Sequence, residues 1–273
     1  MRRFFLFFLS CCVFSPVTAQ RLPLWELGLA VGYAKVPYYR GASSGRDIIL
    51  PLPLAIYRGK KYSVDDDGGH RWLMRSERFS LDLSLAAGLP VPKNDKTSAR
   101  AGMPSLDATL ELGPRLNLLL WKNTRQKISF VLPFRFASSV AFFDMAYRGW
   151  IVSPFLMYSI ENKGKNGWGF DVLAGPLYAS RKYHDYFYSV SKSYENNNRT
   201  VYKAREGYSG SRVTLYIKKS YKRLWLSAFA RYDRLSGSVF EDSPIVEQKE
   251  YLVGGFVIGW IFKKSPQTVY VEN

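Results

Sequence analysis

From Phe79 to Leu89 the chain alternates, residue by residue, between large apolar and small or polar side chains. Successive side chains of a strand point to opposite faces, so Phe79, Leu81, Leu83, Leu85 and Leu89 share one face. Ser80, Asp82, Ser84, Ala86 and Gly88 share the other. One such run predicts a half-buried strand. Here the pattern recurs from about residue 25 to residue 262, with no helical period between. Trp25, Leu27, Leu29, Val31 and Tyr33 form the first stripe, with its aromatic residues at the two ends. Ile48, Leu50, Leu52, Leu54 and Ile56 form the next, with Pro51 and Pro53 pointing the other way; two missing ladder donors predict a bulge or local irregularity there. Further stripes start at Ala108, Ile128, Trp150, Trp168, Val213 and Leu224. The last runs through Leu252, Phe256, Ile258, Trp260 and Phe262.

Ten segments carry the alternation, and residues 60–76 read as a short hairpin turning at Asp65-Asp66-Asp67-Gly68-Gly69, which brings the count to twelve. A calcium loop is the alternative there, but the later glutamate of an EF-hand is missing. The stripes are commonly about 9–11 residues long, the length of a tilted membrane crossing. They hold almost no charge, and the opposite face is rich in Gly, Ala, Ser and Thr rather than in Lys and Glu, as a narrow filled lumen requires. In lipid every backbone polar group needs an internal partner, so such a sheet has to close. The expected fold is therefore all-β, a closed antiparallel transmembrane β-barrel of 10 to 12 strands, with twelve preferred. A soluble β-sandwich is the competing fold. Short connections at 121–126, 161–167 and 218–223 alternate with longer ones at 36–46, 89–105, 183–209 and 237–248, the asymmetry of periplasmic turns and outer loops. The short 142–147 connection breaks that rule if it faces outward.

The first residues fit an export leader: Arg2 and Arg3, an apolar run from Phe4 to Phe14, and Val17-Thr18-Ala19 as a small-x-small cleavage site before Gln20. The run is too short to span a membrane, which takes about 20 residues. A lipoprotein site at Cys11 fits poorly. The expected organisation is a leader over 1–19 and a barrel over 20–273, with 263–273 as a periplasmic tail. Both cysteines, Cys11 and Cys12, lie in the leader, which excludes disulfides, zinc-thiolate sites and cysteine nucleophiles from the rest. The formal charge is +17; without Arg2 and Arg3, 37 basic residues against 22 acidic ones leave +15. In an exported barrel that surplus points to lipopolysaccharide and other envelope polyanions, not to nucleic acid, for which no motif is present.

Several blocks carry a family resemblance: Leu27 to Tyr33, Pro37-Tyr38-Tyr39-Arg40-Gly41-Ala42, Pro51-Leu52-Pro53, Tyr57-Arg58-Gly59, Gly113-Pro114, Arg199 to Tyr208, and Ser243-Pro244-Ile245-Val246. In order and spacing the chain resembles the MltA-interacting protein (MipA/OmpV) family of outer-membrane proteins over nearly its whole mature length. The resemblance implies a Gram-negative outer-membrane barrel. It also implies a scaffold role, bridging a lytic transglycosylase to a penicillin-binding protein at the cell wall, with solute or antibiotic entry as the alternative. Barrels of this kind end on an aromatic residue that the insertion machinery reads; here Lys263 to Asn273 follow Phe262, which leaves Phe262 and Tyr270 as candidates.

No enzyme and no cofactor are expected. His70 and His184 read as solvated loop residues; Asp185, Ser180 and Ser189 beside His184 are weak material for a Ser–His–acid set. The candidate lumen residues are Asp82, Glu111, Arg115, Arg135, Asp171, Arg231 and Asp233. They would form either a paired plug or a charged constriction, the plug being preferred. The loop at 183–209 offers Tyr183, Tyr186, Phe187, Tyr188, Arg199 and Tyr202 as candidate outer contacts, for a partner or for lipid headgroups and lipopolysaccharide.

Overall fold

The computed structural model describes residues 20–59, 62–65, 68–92, 99–141, 144–161 and 167–271. The expected leader, Cys11 and Cys12 lie outside them. The elements in chain order are β1 (Gln20–Pro23), β2 (Trp25–Pro37), β3 (Gly45–Arg58), β4 (Tyr62–Asp65), β5 (Gly68–Arg75), β6 (Phe79–Gly88), β7 (Ala108–Lys122), β8 (Gln126–Ala141), β9 (Asp144–Val152), β10 (Phe155–Glu161), β11 (Trp168–Ala179), α1 (Arg181–Tyr188), β12 (Gly207–Tyr221), β13 (Leu224–Arg234), β14 (Glu250–Lys264) and β15 (Thr268–Val271).

Sequential strands from β2 to β14 pair antiparallel, and β14 returns to pair with β2. Strands β9 and β10 are one strand interrupted at Ser153–Pro154. Both lie along β8 in the same register, Val152 opposite Phe134 and Phe155 opposite Val131, and both also pair with β11. Pro154 removes a donor at the interruption. Counted this way the ring has twelve strands, each with two antiparallel neighbours; the β14–β2 pairing completes it, and its narrowest join is β3–β4, which meet at two residue pairs only.

Outside, the apolar stripes form a belt. Leu29 is 66% exposed and Leu252 73%. Tyr57, Trp121, Trp168 and Tyr221 rim the belt at the end that carries the chain termini, and Tyr147, Tyr178 and Tyr232 rim it at the other. An apolar band between two aromatic rims is the surface of a barrel in lipid. Inside, Ala30, Ser84, Thr109, Ser129, Ala137, Ser159 and Thr214 are buried, the small lumen face expected from the sequence.

Strand β3 differs from the expectation in two ways. Its register with β2 runs unbroken from Trp25–Tyr57 to Pro37–Gly45, with no bulge. The Arg58 N–H donates to Leu24 O on the β2 side. Backbone direction alternates along a strand, so Pro51 and Pro53 turn their missing N–H groups toward the opposite edge. On that edge β4 pairs only with Tyr57 and Arg58. Proline is tolerated on an edge that has no ladder to complete. The register also puts Pro51 and Pro53 on the lipid face beside Val31 and Leu29, so the stripe Ile48, Leu50, Leu52, Leu54 and Ile56 faces the lumen.

Residues 60–76 do contain a hairpin, with Asp65 opposite Gly68. Within 142–147, β9 begins at Asp144, which stands opposite Ala141 at the loop end, so only residues 142–143, which lie outside the described residues, join β8 to β9. Beyond the ring, β1 and β15 pair as a separate two-stranded ribbon at the terminal end, with β15 drawn from the expected tail. The densest apolar packing lies at the other end, where the long loops fold over the mouth. Tyr39, Val91, Leu106, Tyr188, Leu235, Phe240 and Val253 form one buried cluster there, and Met103, Val190 and Ile245 another.

Candidate functional site

The cap is organised by α1, a helix the strand-like pattern concealed. Ser180 caps it, its hydroxyl accepting from the Tyr183 N–H at 3.4 Å and the Trp150 N–H at 3.0 Å. Gly149 makes this approach possible: its φ is +105°, and a Cβ there would lie 2.0 Å from Ser180 Oγ. The helix buries His184 and Tyr188, one turn apart, against Phe240. The Tyr188 and Phe240 rings stack at 3.8 Å, and His184 sits 4.9 Å from Phe240.

His184 is fully buried rather than solvated. Its Nδ1 lies 2.5 Å from Arg205 O, which can only accept, so Nδ1 carries the proton; Nε2 then accepts from Ser209 Oγ at 2.6 Å. Burial lowers its pKa to about 4, so the ring is neutral. A serine hydroxyl on a histidine whose other nitrogen is fixed has the outline of a nucleophile–base pair. Ser209, however, is 1% exposed beneath the cap and offers no face to a substrate.

The loop residues expected to meet outer partners turn inward instead. Tyr183 donates to Glu111 Oε1 at 3.0 Å, Tyr186 to Asp107 O at 3.2 Å, Tyr188 to Arg40 O at 3.2 Å, and Tyr202 to Val239 O at 3.1 Å. Phe187 packs against the cap cluster. The Arg199 guanidinium donates to Tyr194 O, Ala99 O and Ala101 O, tying two loops together. Buried polar tips need partners, and backbone carbonyls of neighbouring loops provide them. Burial, with Glu111 next, holds the Tyr183 hydroxyl above its ordinary pKa.

All seven lumen candidates are in ion pairs, in four groups. Arg115 holds Asp82 with both Nε and Nη2, at 2.8 and 3.0 Å. Arg135 bonds Glu111 at 3.0 Å and Ser84 at 2.9 Å. Asp171 pairs with Lys218 at 3.3 Å. Asp233 draws Arg231, Arg212 and Arg40 together. Register sets two of these pairs directly, Asp82 facing Arg115 and Asp233 facing Arg212, while Glu111 and Asp171 reach diagonally to Arg135 and Lys218 on the neighbouring strand. Sequence reasoning passed over Arg40, Arg212, Lys218 and Glu26. Lys218 and Arg212 alternate with the outward Val213 and Ile217, so their inward direction was readable. Arg40 comes from the loop after β2 and gave no such signal. Glu26 binds Arg58 at 2.9 Å and Lys264 at 2.8 Å, joining three neighbouring strands at the terminal mouth. Burial is the largest single influence and disfavours the Arg40 charge, but Asp233 together with Tyr251, Tyr188 and Tyr183 outweighs it and holds the guanidinium above its ordinary pKa.

The sequence model of the MltA-interacting protein MipA family matches residues 27–262. The chain belongs to this family. No curated protein matches it. Among solved structures it is similar to a bacterial polysaccharide outer membrane secretin, with 10% identity, a TM-score of 0.42, and coverage of 88% of this chain and 99% of that one. It is also similar to the NanC porin, with 7% identity, a TM-score of 0.37, and coverage of 87% and 99%. An outer membrane channel from Pseudomonas putida F1 matches at 13% identity and a TM-score of 0.35, covering 91% and 99%. At these levels nothing about activity carries over. This MipA-family protein is an outer-membrane β-barrel.

Proposed function

We propose that this MipA-family barrel, exported by a leader over residues 1–19, is a membrane-anchored docking platform for cell-wall enzymes and works through its periplasmic surface. The observation that carries this reading is the ribbon of β1 and β15. It is a two-stranded sheet outside the ring, with Arg21 opposite Tyr270 and Leu22 opposite Val269. A free ribbon edge suits strand addition by a partner. Around it stands a basic rim that includes Arg78, Lys122, Arg125, Lys222, Arg223 and Lys263, suited to an acidic protein surface. The paired lumen and folded cap fit a body that conducts little. The family's name supports a murein hydrolase of the MltA type as partner; a penicillin-binding protein as second partner rests on the family resemblance alone.

Immobilised full-length barrel should retain a lytic transglycosylase from an envelope extract, and a chain ended after Ser265, which lacks β15, should not. Equal recovery on both, or none on the full barrel, would count against the proposal. Solute or antibiotic entry is the second reading. It is favoured by Leu50, which faces the lumen yet is 49% exposed, so space remains below the cap; it requires the cap to move.

A further inference from the structure

At the loop end of the lumen, three guanidinium groups close on one carboxylate, and neither charge nor donors balance. Arg212 Nε and Nη2 each donate to Asp233 Oδ1 at 3.0 Å, and Arg40 Nε reaches the same oxygen at 3.2 Å. Arg231 Nε lies 2.7 Å from Oδ2, close but out of line for a hydrogen bond. Asp233 is fully buried, so three positive charges surround one negative. Arg40 Nη2 and the Tyr251 hydroxyl are buried there without a hydrogen-bond partner among the described residues. Tyr251 stands directly opposite Asp233 in the β13–β14 register. Buried charge is costly unless a counter-charge meets it, and buried donors are ordinarily satisfied.

We propose that this cluster is an oxyanion site inside the barrel that takes the phosphate group of a small solute. A phosphate monoester carries about −1.5 to −2 at neutral pH, which matches a surplus of two. Its oxygens accept the paired N–H groups that guanidinium presents, and one is left for the Tyr251 hydroxyl. The cap closes the site from outside. The Arg212 and Arg231 side chains lie on the lumen face and remain 31% and 26% exposed, so the cluster is open to a ligand there. The site is independent of the docking ribbon.

The test titrates folded barrel in detergent with inorganic phosphate, against chloride at matched ionic strength, by calorimetry and by the thermal midpoint. Saturable heat and a rising midpoint are expected with phosphate alone. Tyr251→Phe removes a donor that has no partner among the described residues and should weaken phosphate by about tenfold or more. Arg231→Gln should weaken it through the lost charge. The midpoint of each variant in chloride reports that it has folded. Glycerol phosphate should compete with inorganic phosphate; competition only by a phospholipid dispersed in the detergent would put the ligand in the membrane and overturn a lumen site. Chloride matching phosphate, or Tyr251→Phe binding phosphate as the unchanged chain does, would also overturn it.

Discussion

Acid should loosen the cap, and His184 sets by how much. Its ring is neutral in the folded cap, with a pKa lowered from 6.5 to about 4, chiefly by burial. When the cap opens, the ring regains its ordinary value. The open state therefore binds more protons between those two values, and cap stability falls as pH drops from about 6.5 toward about 4, then levels off. A tenfold difference in proton affinity between the closed and open cap corresponds to about 1.4 kcal/mol, so the loss approaches about 3 kcal/mol. That is a large share of what holds a local region shut. The assay is hydrogen exchange of the cap amides of Val190, Tyr202 and Val246, corrected for the intrinsic pH dependence of exchange. These amides bond within the cap loops. Their protection should fall through that window in the unchanged chain. It should stay flat in His184→Gln, which has no proton to take up. An identical fall in both, or unchanged protection down to about pH 4, would refute the assignment.

Three further outcomes follow from other contacts. Phe240→Ala removes the ring stacked on Tyr188 and should destabilise the cap by about 3–5 kcal/mol, read as faster exchange of the same amides while the barrel keeps its heat-modifiable gel mobility. Asp82→Asn takes the carboxylate from a bidentate Arg115 and should cost about 1–3 kcal/mol in the urea unfolding midpoint; no change would mean the pair is solvated. Pro51→Val with Pro53→Val puts two N–H donors on an edge with no ladder, so the barrel should unfold at lower urea. A more stable variant would mean that this edge is paired after all.

The alternation was legible because a strand between lipid and lumen has to separate large apolar from small polar residues at every step. The stripes of β2, β6, β13 and β14 were readable for that reason, and so were the lumen carboxylates on β6, β7 and β13. On β3 both faces are apolar, so alternation could not say which one meets lipid, and only the register with β2 decides it. The cap escaped because Lys182 to Tyr188 mixes aromatic and basic residues, a composition shared by exposed loops and by short helices that bury one side. The spacing of His184 and Tyr188, four apart behind Ser180, was the available signal. Arg40 joins Asp233 through tertiary folding of a loop, which no local pattern encodes, whereas the inward direction of Tyr251 follows from the outward Leu252 beside it.

Whether the cap seals the barrel is tested most directly by planar-bilayer recording of the purified protein at neutral pH. With the loops packed over the mouth and the seven lumen candidates in ion pairs, the bilayer should stay silent. Clear, stable conductance steps from the unchanged chain would contradict a sealed barrel and favour a conduit.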